Sequence, residues 1–181
     1  HYGQKLNGRR IQQMDAGPIA AWPEAARAHV SALRTHYDDV RRAHAAAEPG
    51  HVEDALAFAS RAWRRPLTSA EQTTLRAFYR QARTAHALDH SGALRALLSR
   101  ILVSPAFLYR LEPVESAAER PLDDWELASR LSFFLWSSIP DEALRRAAAA
   151  RELRDPARLA RQVKRMCADP KARRLATEFF G

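Results

Sequence analysis

Residues 121–144 read PLDDWELASRLSFFLWSSIPDEAL, and this stretch decides the fold. Asp123 and Glu126 stand three apart ahead of an apolar run. At that spacing each side chain reaches an orphan backbone N–H of a first helical turn, so a helix is predicted over about 124–137. Leu127, Leu131, Phe134 and Leu135 then share one face, with Phe133 and Trp136 on its flanks. The end of the helix is apolar nearly all round, which predicts a central helix buried between neighbours or at a domain interface. The run 133–136 is far shorter than the ~20 apolar residues a membrane span takes. Ser137 stops the run, and Ser138, ahead of Pro140 and Asp141, is expected to cap the next helix. Neither serine sits in a G-x-S-x-G elbow or beside a His-Asp arrangement, so both read as a helix stop and a cap.

Working outward, the same devices recur. Thr68 and Glu71 form a second capping box, and Leu75, Phe78, Tyr79, Ala82 and Ala85 make the stripe behind it. Asp89 caps a helix carrying Leu94, Leu97, Leu98, Ile101 and Leu102; Ser104 with Pro105 starts a short one carrying Phe107, Leu108 and Leu111. Asp155 before Pro156 and Asp169 before Pro170 open two more. Towards the N-terminus, Ala26, Val30, Leu33, Tyr37 and Val40 predict a helix from Trp22 to about Ala47, ended by Glu48-Pro49-Gly50. A separate helix over about 52–63 follows and stops before Pro66, which disfavours helical backbone at Arg65.

The fold class is therefore all-α: about seven or eight short-linked helices, arranged as two packed sub-bundles. Residues 1–21 read as an extended arm, 22–111 as an N-terminal bundle, 112–121 as a polar connector and 122–181 as a C-terminal bundle. Scarce glycine and 46% hydrophobic residues over 181 positions fit a helical chain with a sizeable core. The formal net charge is +8. Arginines are spread over every predicted helix among Asp and Glu, so solvated helix faces are a better reading than nucleic-acid binding. A single cysteine, Cys167, excludes an intrachain disulfide, a Cys-based zinc site and c-type haem attachment within the chain. No glycine-rich phosphate loop is present.

The residues with chemical potential have plainer readings. His86 and His90 are four apart, but the Asp89 cap breaks the helix between them. His29 and His36 are seven apart, ~10.5 Å of helical rise, too far to share one metal. All four are weak candidates for contact with a haem or metal held elsewhere. Asp123, Asp124, Glu126, Asp141 and Glu142 fall in first helical turns, where carboxylates stabilise the helix dipole. The Trp63-Arg64-Arg65 cluster, followed by Pro66, reads as a core aromatic beside arginines that supply salt bridges or a cation–π contact. No residue is assigned a catalytic role.

The segment FASRAWRRPLTSAEQTTLRAFY (58–79) resembles the signature of the domain of unknown function 1595. ILVSPAFLYRLE (101–112), PLDDWELASRLSFFLWSSIPDEAL (121–144) and LARQVKRMCADPKARRLATEFF (159–180) resemble its companion, the domain of unknown function 1592. Trp63, Arg64, Arg65, Pro66, Phe107, Trp125, Phe134, Trp136, Ser138, Pro140 and Asp141 are the structural landmarks of these segments. It implies a module of a large exported, periplasmic or extracellular, multidomain protein of the planctomycete-type cytochrome c group. The implied function is a non-catalytic scaffold that holds, covers or docks haem domains. Haem c is then expected in the parent protein or a partner, with no cofactor in this chain. A chain that starts at His1 and stops at Phe179-Phe180-Gly181 is expected to be a piece of that parent. Two alternatives remain open: part of an extracellular enzyme completed by other sequence, and a basic nucleic-acid-binding module.

Overall fold

The computed structural model of the chain describes residues 5–6, 9–10, 22–109 and 121–180. Most of the expected arm, the connector from 112 to 120, and Gly181 lie outside the described residues. Within the arm, β1 (Lys5–Leu6) pairs antiparallel with β2 (Arg9–Arg10). The fold is all-α, with eight α-helices among the described residues. They are α1 (Glu24–Ala62), α2 (Ser69–Thr84), α3 (His90–Leu102), α4 (Pro105–Leu108), α5 (Asp124–Trp136), α6 (Glu142–Ala149), α7 (Pro156–Ala168) and α8 (Arg173–Phe180). A 3-10 turn, Pro170–Ala172, joins the last two.

The chain divides into two compact units, His1–His51 and Val52–Gly181. In the first, Ala26, Val30, Tyr37 and Val40 are half-buried along α1, the face their spacing predicted, but Leu33 is exposed. The expected break at Glu48-Pro49-Gly50 does not occur: α1 is one helix of 39 residues with Pro49 inside it. Proline forfeits the hydrogen bond to the carbonyl of Ala45 and crowds it. Ala45, Ala46 and Ala47 ahead of it and Val52 to Ala62 behind it carry the helix through, because the second stretch is fixed by burial. The first buried side chain of α1 is Val52.

The second unit has two apolar cores. One gathers Val52, Leu56 and Ala59 of α1, Leu75 of α2, and Leu97 and Ile101 of α3, with Trp63, Phe78, Tyr79 and Phe107 packed against them. The other gathers Ala128, Leu135 and Trp136 of α5 with Leu144, Ala147, Leu153 and Met166, with Trp125 packed against it.

The caps decide the helix starts. Both capping boxes form, Thr68 with Glu71 and Asp123 with Glu126. Asp89 accepts from Gly92 N–H, Asp155 from Ala157 and Arg158 N–H, and Asp169 from Lys171 N–H. Two expected caps fail. Ser104 makes no capping bond; its hydroxyl donates back to the carbonyl of Ile101 at 2.8 Å, at the end of α3. Ser138 does not open α6. Asp141 does, accepting from Leu144 N–H at 2.9 Å, while Pro140 is buried just outside the helix. A carboxylate there answers both the helix dipole and Arg165, which a serine hydroxyl cannot.

The helix ends use an unexpected device. Arg64, Ala87, Ser137 and Arg151 all have positive φ, and each follows the end of a helix by one to three residues. Left-handed positions after a helix are usually glycine. Neither of the two described glycines, Gly50 and Gly92, occupies one.

Candidate docking site around Arg64

Arg64 sits where α1 ends, with φ 62° and only 7% exposure. The left-handed turn swings its side chain away from the α1 axis and towards α4. There the guanidinium becomes a fork over backbone carbonyls. Nη2 donates to Ala106 O at 2.8 Å and Tyr109 O at 2.9 Å; Nη1 donates to Phe107 O and Ala62 O, each at 3.2 Å. Its Cζ also lies 5.9 Å from the ring centre of Phe133 on α5. A planar guanidinium with five donors suits this arrangement, and a lysine ammonium would not. A four-residue helix cannot satisfy its last carbonyls internally, so Arg64 stabilises α4 by supplying the donors it lacks.

The flanking residues complete the frame. Trp63 Nε1 donates to Ile101 O at 3.1 Å, fixing the end of α3. Arg65 forms a two-point pair with Glu71, at 2.7 and 2.9 Å, so Glu71 serves both the cap of Thr68 and the arginine. The Arg65 hydrogen bond, against a smaller opposing effect of burial, holds the Glu71 carboxyl down at about 2. Pro66 is exposed and begins the extended link into α2.

On this frame the outward side chains are apolar. Val103 is 67% exposed, Tyr109 61%, Leu108 58% and Leu102 38%. Phe107 turns inward onto the first core. Rigid backbone below and large apolar side chains above are the components of a preformed contact surface.

The second bundle is built around Trp136, which has no exposed surface. Its Nε1 donates to Met166 O at 3.0 Å, and Arg165 and Lys171 lie over its ring at 5.6 and 4.9 Å. Arg165 pairs at two points with Asp141, at 2.7 and 3.1 Å. Burial pushes the Asp141 carboxyl up, but the Arg165 hydrogen bond, the Leu144 N–H and the charges of Arg165 and Lys171 outweigh it and bring it down. Asp124 is buried and accepts from Leu153 N–H at 2.7 Å. Trp125 carries Arg145 over its ring, and Arg145 reaches back to Ser60 O of α1 at 3.3 Å, tying the two cores together. Phe134 departs from the expected apolar face. It is 55% exposed, because the buried line of α5 runs through Asp124, Ala128, Ser132, Leu135 and Trp136. Phe134 lies about 200° around the helix from Ser132 and Trp136.

The histidines are scattered. His29 and His36 are exposed on α1, and His86 is exposed after α2. His90, the first residue of α3, has its Nδ1 at 2.8 Å from the Tyr79 hydroxyl. The helix ends earlier than expected, at Thr84, so His86 lies outside α2, and the left-handed Ala87 stands between it and His90. Among the described residues no group of three or more His, Cys, Asp or Glu could hold a metal ion. Of the carboxylates in first turns, Asp123, Asp124, Glu126 and Asp141 all bond backbone N–H groups. The sequence reading gave Arg64 a salt bridge or a cation–π contact, and it has the latter over Phe133, but its hold on α4 was missed. The available signal was the repeated arginine at a helix end ahead of R-P-L-T, with an aromatic-rich S-P-A-F-L-Y segment further on.

Residues 53–112 match the model of PSD5, a protein of unknown function (DUF1595), and residues 122–181 match that of PSD4, a protein of unknown function (DUF1592). The two matches fall on successive segments of the chain. No curated protein and no solved structure matches it. Arg64 and the loop it grips both lie within the DUF1595 match, and Phe133 lies within the DUF1592 match. No helix among the described residues is long and apolar enough to cross a membrane.

Proposed function

We propose that this chain is a non-catalytic docking and scaffold module of a larger exported protein, holding a neighbouring haem-bearing domain of the cytochrome c type. The observation that carries the reading is the pairing of a buried arginine with an exposed apolar loop. Arg64 commits three hydrogen bonds to holding the backbone of residues 106–109, while Leu108 and Tyr109 point their apolar surface outward. A catalytic site would gather polar groups; this frame gathers apolar ones on rigid backbone, as contact surfaces do. The resemblance to domains found beside c-type haem modules supports the identity of the neighbour, and with it a periplasmic or extracellular setting.

The test is calorimetric titration of the chain with the separately expressed haem-bearing segment of its parent. The reading predicts binding that Leu108→Glu with Tyr109→Glu weakens at least about tenfold, without loss of helical signal. Wild-type chain that gives no heat, or a double variant that binds as well as wild type, contradicts it.

A further inference from the structure

Residues 142–178 hold eleven Arg and Lys against five Asp and Glu, so six of the eight net positive charges of the chain lie in that stretch. Arginines are spread along the chain, but in this stretch they outnumber their acidic partners. Glu152 pairs with Arg158, Glu142 lies near Arg145, and Asp155 and Asp169 are used as caps. Arg146, Arg151, Arg161, Lys164 and Arg173 are exposed and, among the described residues, make no side-chain hydrogen bond or ion pair. Arg161 and Lys164 stand one turn apart on the outer face of α7, among exposed Ala157, Ala160 and Ala168.

From this we infer that the outer face of α7 is a docking surface for an acidic helix of a partner protein. The local chemistry selects among polyanions. Residues 142–178 contain no Phe, Tyr, Trp or His, so no ring is there to stack a nucleic-acid base. Among the described residues the large exposed apolar side chains lie outside the stretch, the nearest being Ile139, so the described face of α7 offers no apolar group to insert into a bilayer. Cations one turn apart on a helix have Cβ atoms ~5–6 Å apart, the spacing of two carboxylates one turn apart on a facing helix. The exposed alanines flanking them let that helix approach closely. This surface is separate from the apolar loop at residues 102–109 and does not depend on it.

Cys167, exposed on α7 three residues after Lys164 and the single cysteine of the chain, accepts a fluorophore that reports locally. The labelled chain is titrated at about 150 mM salt, where only near charges act strongly. The probes are a helical peptide with glutamates four apart, a generic DNA duplex, and vesicles containing anionic lipid. Expected is saturable binding of the acidic peptide, tighter than of duplex or vesicles, and weakened about tenfold by Arg161→Glu with Lys164→Glu. Arg161→Gln with Lys164→Gln should show a smaller loss, and Arg34→Glu with Arg41→Glu on α1 almost none. Duplex or vesicles binding as tightly as the peptide would overturn the partner class. Equal binding by wild type and the α7 variants would overturn the site.

Discussion

Nη2 of Arg64 lies 2.8 Å from the carbonyl oxygen of Ala106, forty-two residues further along the chain. The same nitrogen reaches Tyr109 O, and Nη1 reaches Phe107 O, so one side chain supplies the donors that a four-residue helix cannot supply itself. This bond set joins the end of α1 to the surface segment at 102–109, and most of the functional reading rests on it.

Replacing Arg64 should be costly even where charge is kept. Arg64→Ala orphans carbonyls at a buried site and should destabilise the chain by about 3–5 kcal/mol. Arg64→Lys should recover only part of this, since an ammonium cannot fork to four acceptors. Urea melts check both. A lysine variant as stable as wild type would mean that only the charge matters.

Trp136 and Phe134, two residues apart, should behave oppositely. Trp136 is fully buried and bonded to Met166 O, so Trp136→Ala should cost ~3–5 kcal/mol. Phe134 is more than half exposed, so Phe134→Ala should cost about 1 kcal/mol or less. Denaturant melts showing similar losses at both positions would contradict the placement of α5.

Glu71 sets an acid limb of the stability curve. Its carboxyl stands at about 2 in the folded chain against an ordinary 4.5, held there by Arg65. A depressed carboxyl contributes stability that is complete above its unfolded value and is lost as pH falls through the folded one. The window is therefore pH 4.5 down to about 2. With solvent access to the pair, the contribution is about 1–2 kcal/mol. Glu71→Gln keeps an acceptor for the Thr68 cap but removes the charge. It should lose about this amount at pH 7 and flatten the curve across that window, as read by melts at several pH values.

Much of the architecture was legible because local chemistry and tertiary packing agree. The capping boxes at Thr68 and Asp123 and the aspartates at 89, 155 and 169 start helices where their side chains dictate. The ends were harder to read. Glycine marks helix ends in most chains, but here Arg64, Ala87, Ser137 and Arg151 take the left-handed position without it. Pro49 misled in the other direction, because burial beginning at Val52 outweighs a local breaker. The docking frame was hidden for a related reason. The acceptors of Arg64 are main-chain carbonyls, and a carbonyl has no residue type to recognise.

Pro49 offers a separate check on the continuous α1. Pro49→Ala restores an N–H for the Ala45 carbonyl and should stabilise the helix locally by up to ~3 kcal/mol. Amide exchange near residue 49 should slow accordingly. Unchanged exchange would mean that the helix is broken there.

The central claim is that the Arg64-held loop is a contact surface, and side-chain footprinting with hydroxyl radicals tests it most directly. In the isolated chain Leu102, Val103, Leu108 and Tyr109 are exposed and should label strongly. In the full parent polypeptide the account predicts that these four become protected while Leu33 labels as before. Equal labelling of the loop in both states would contradict it.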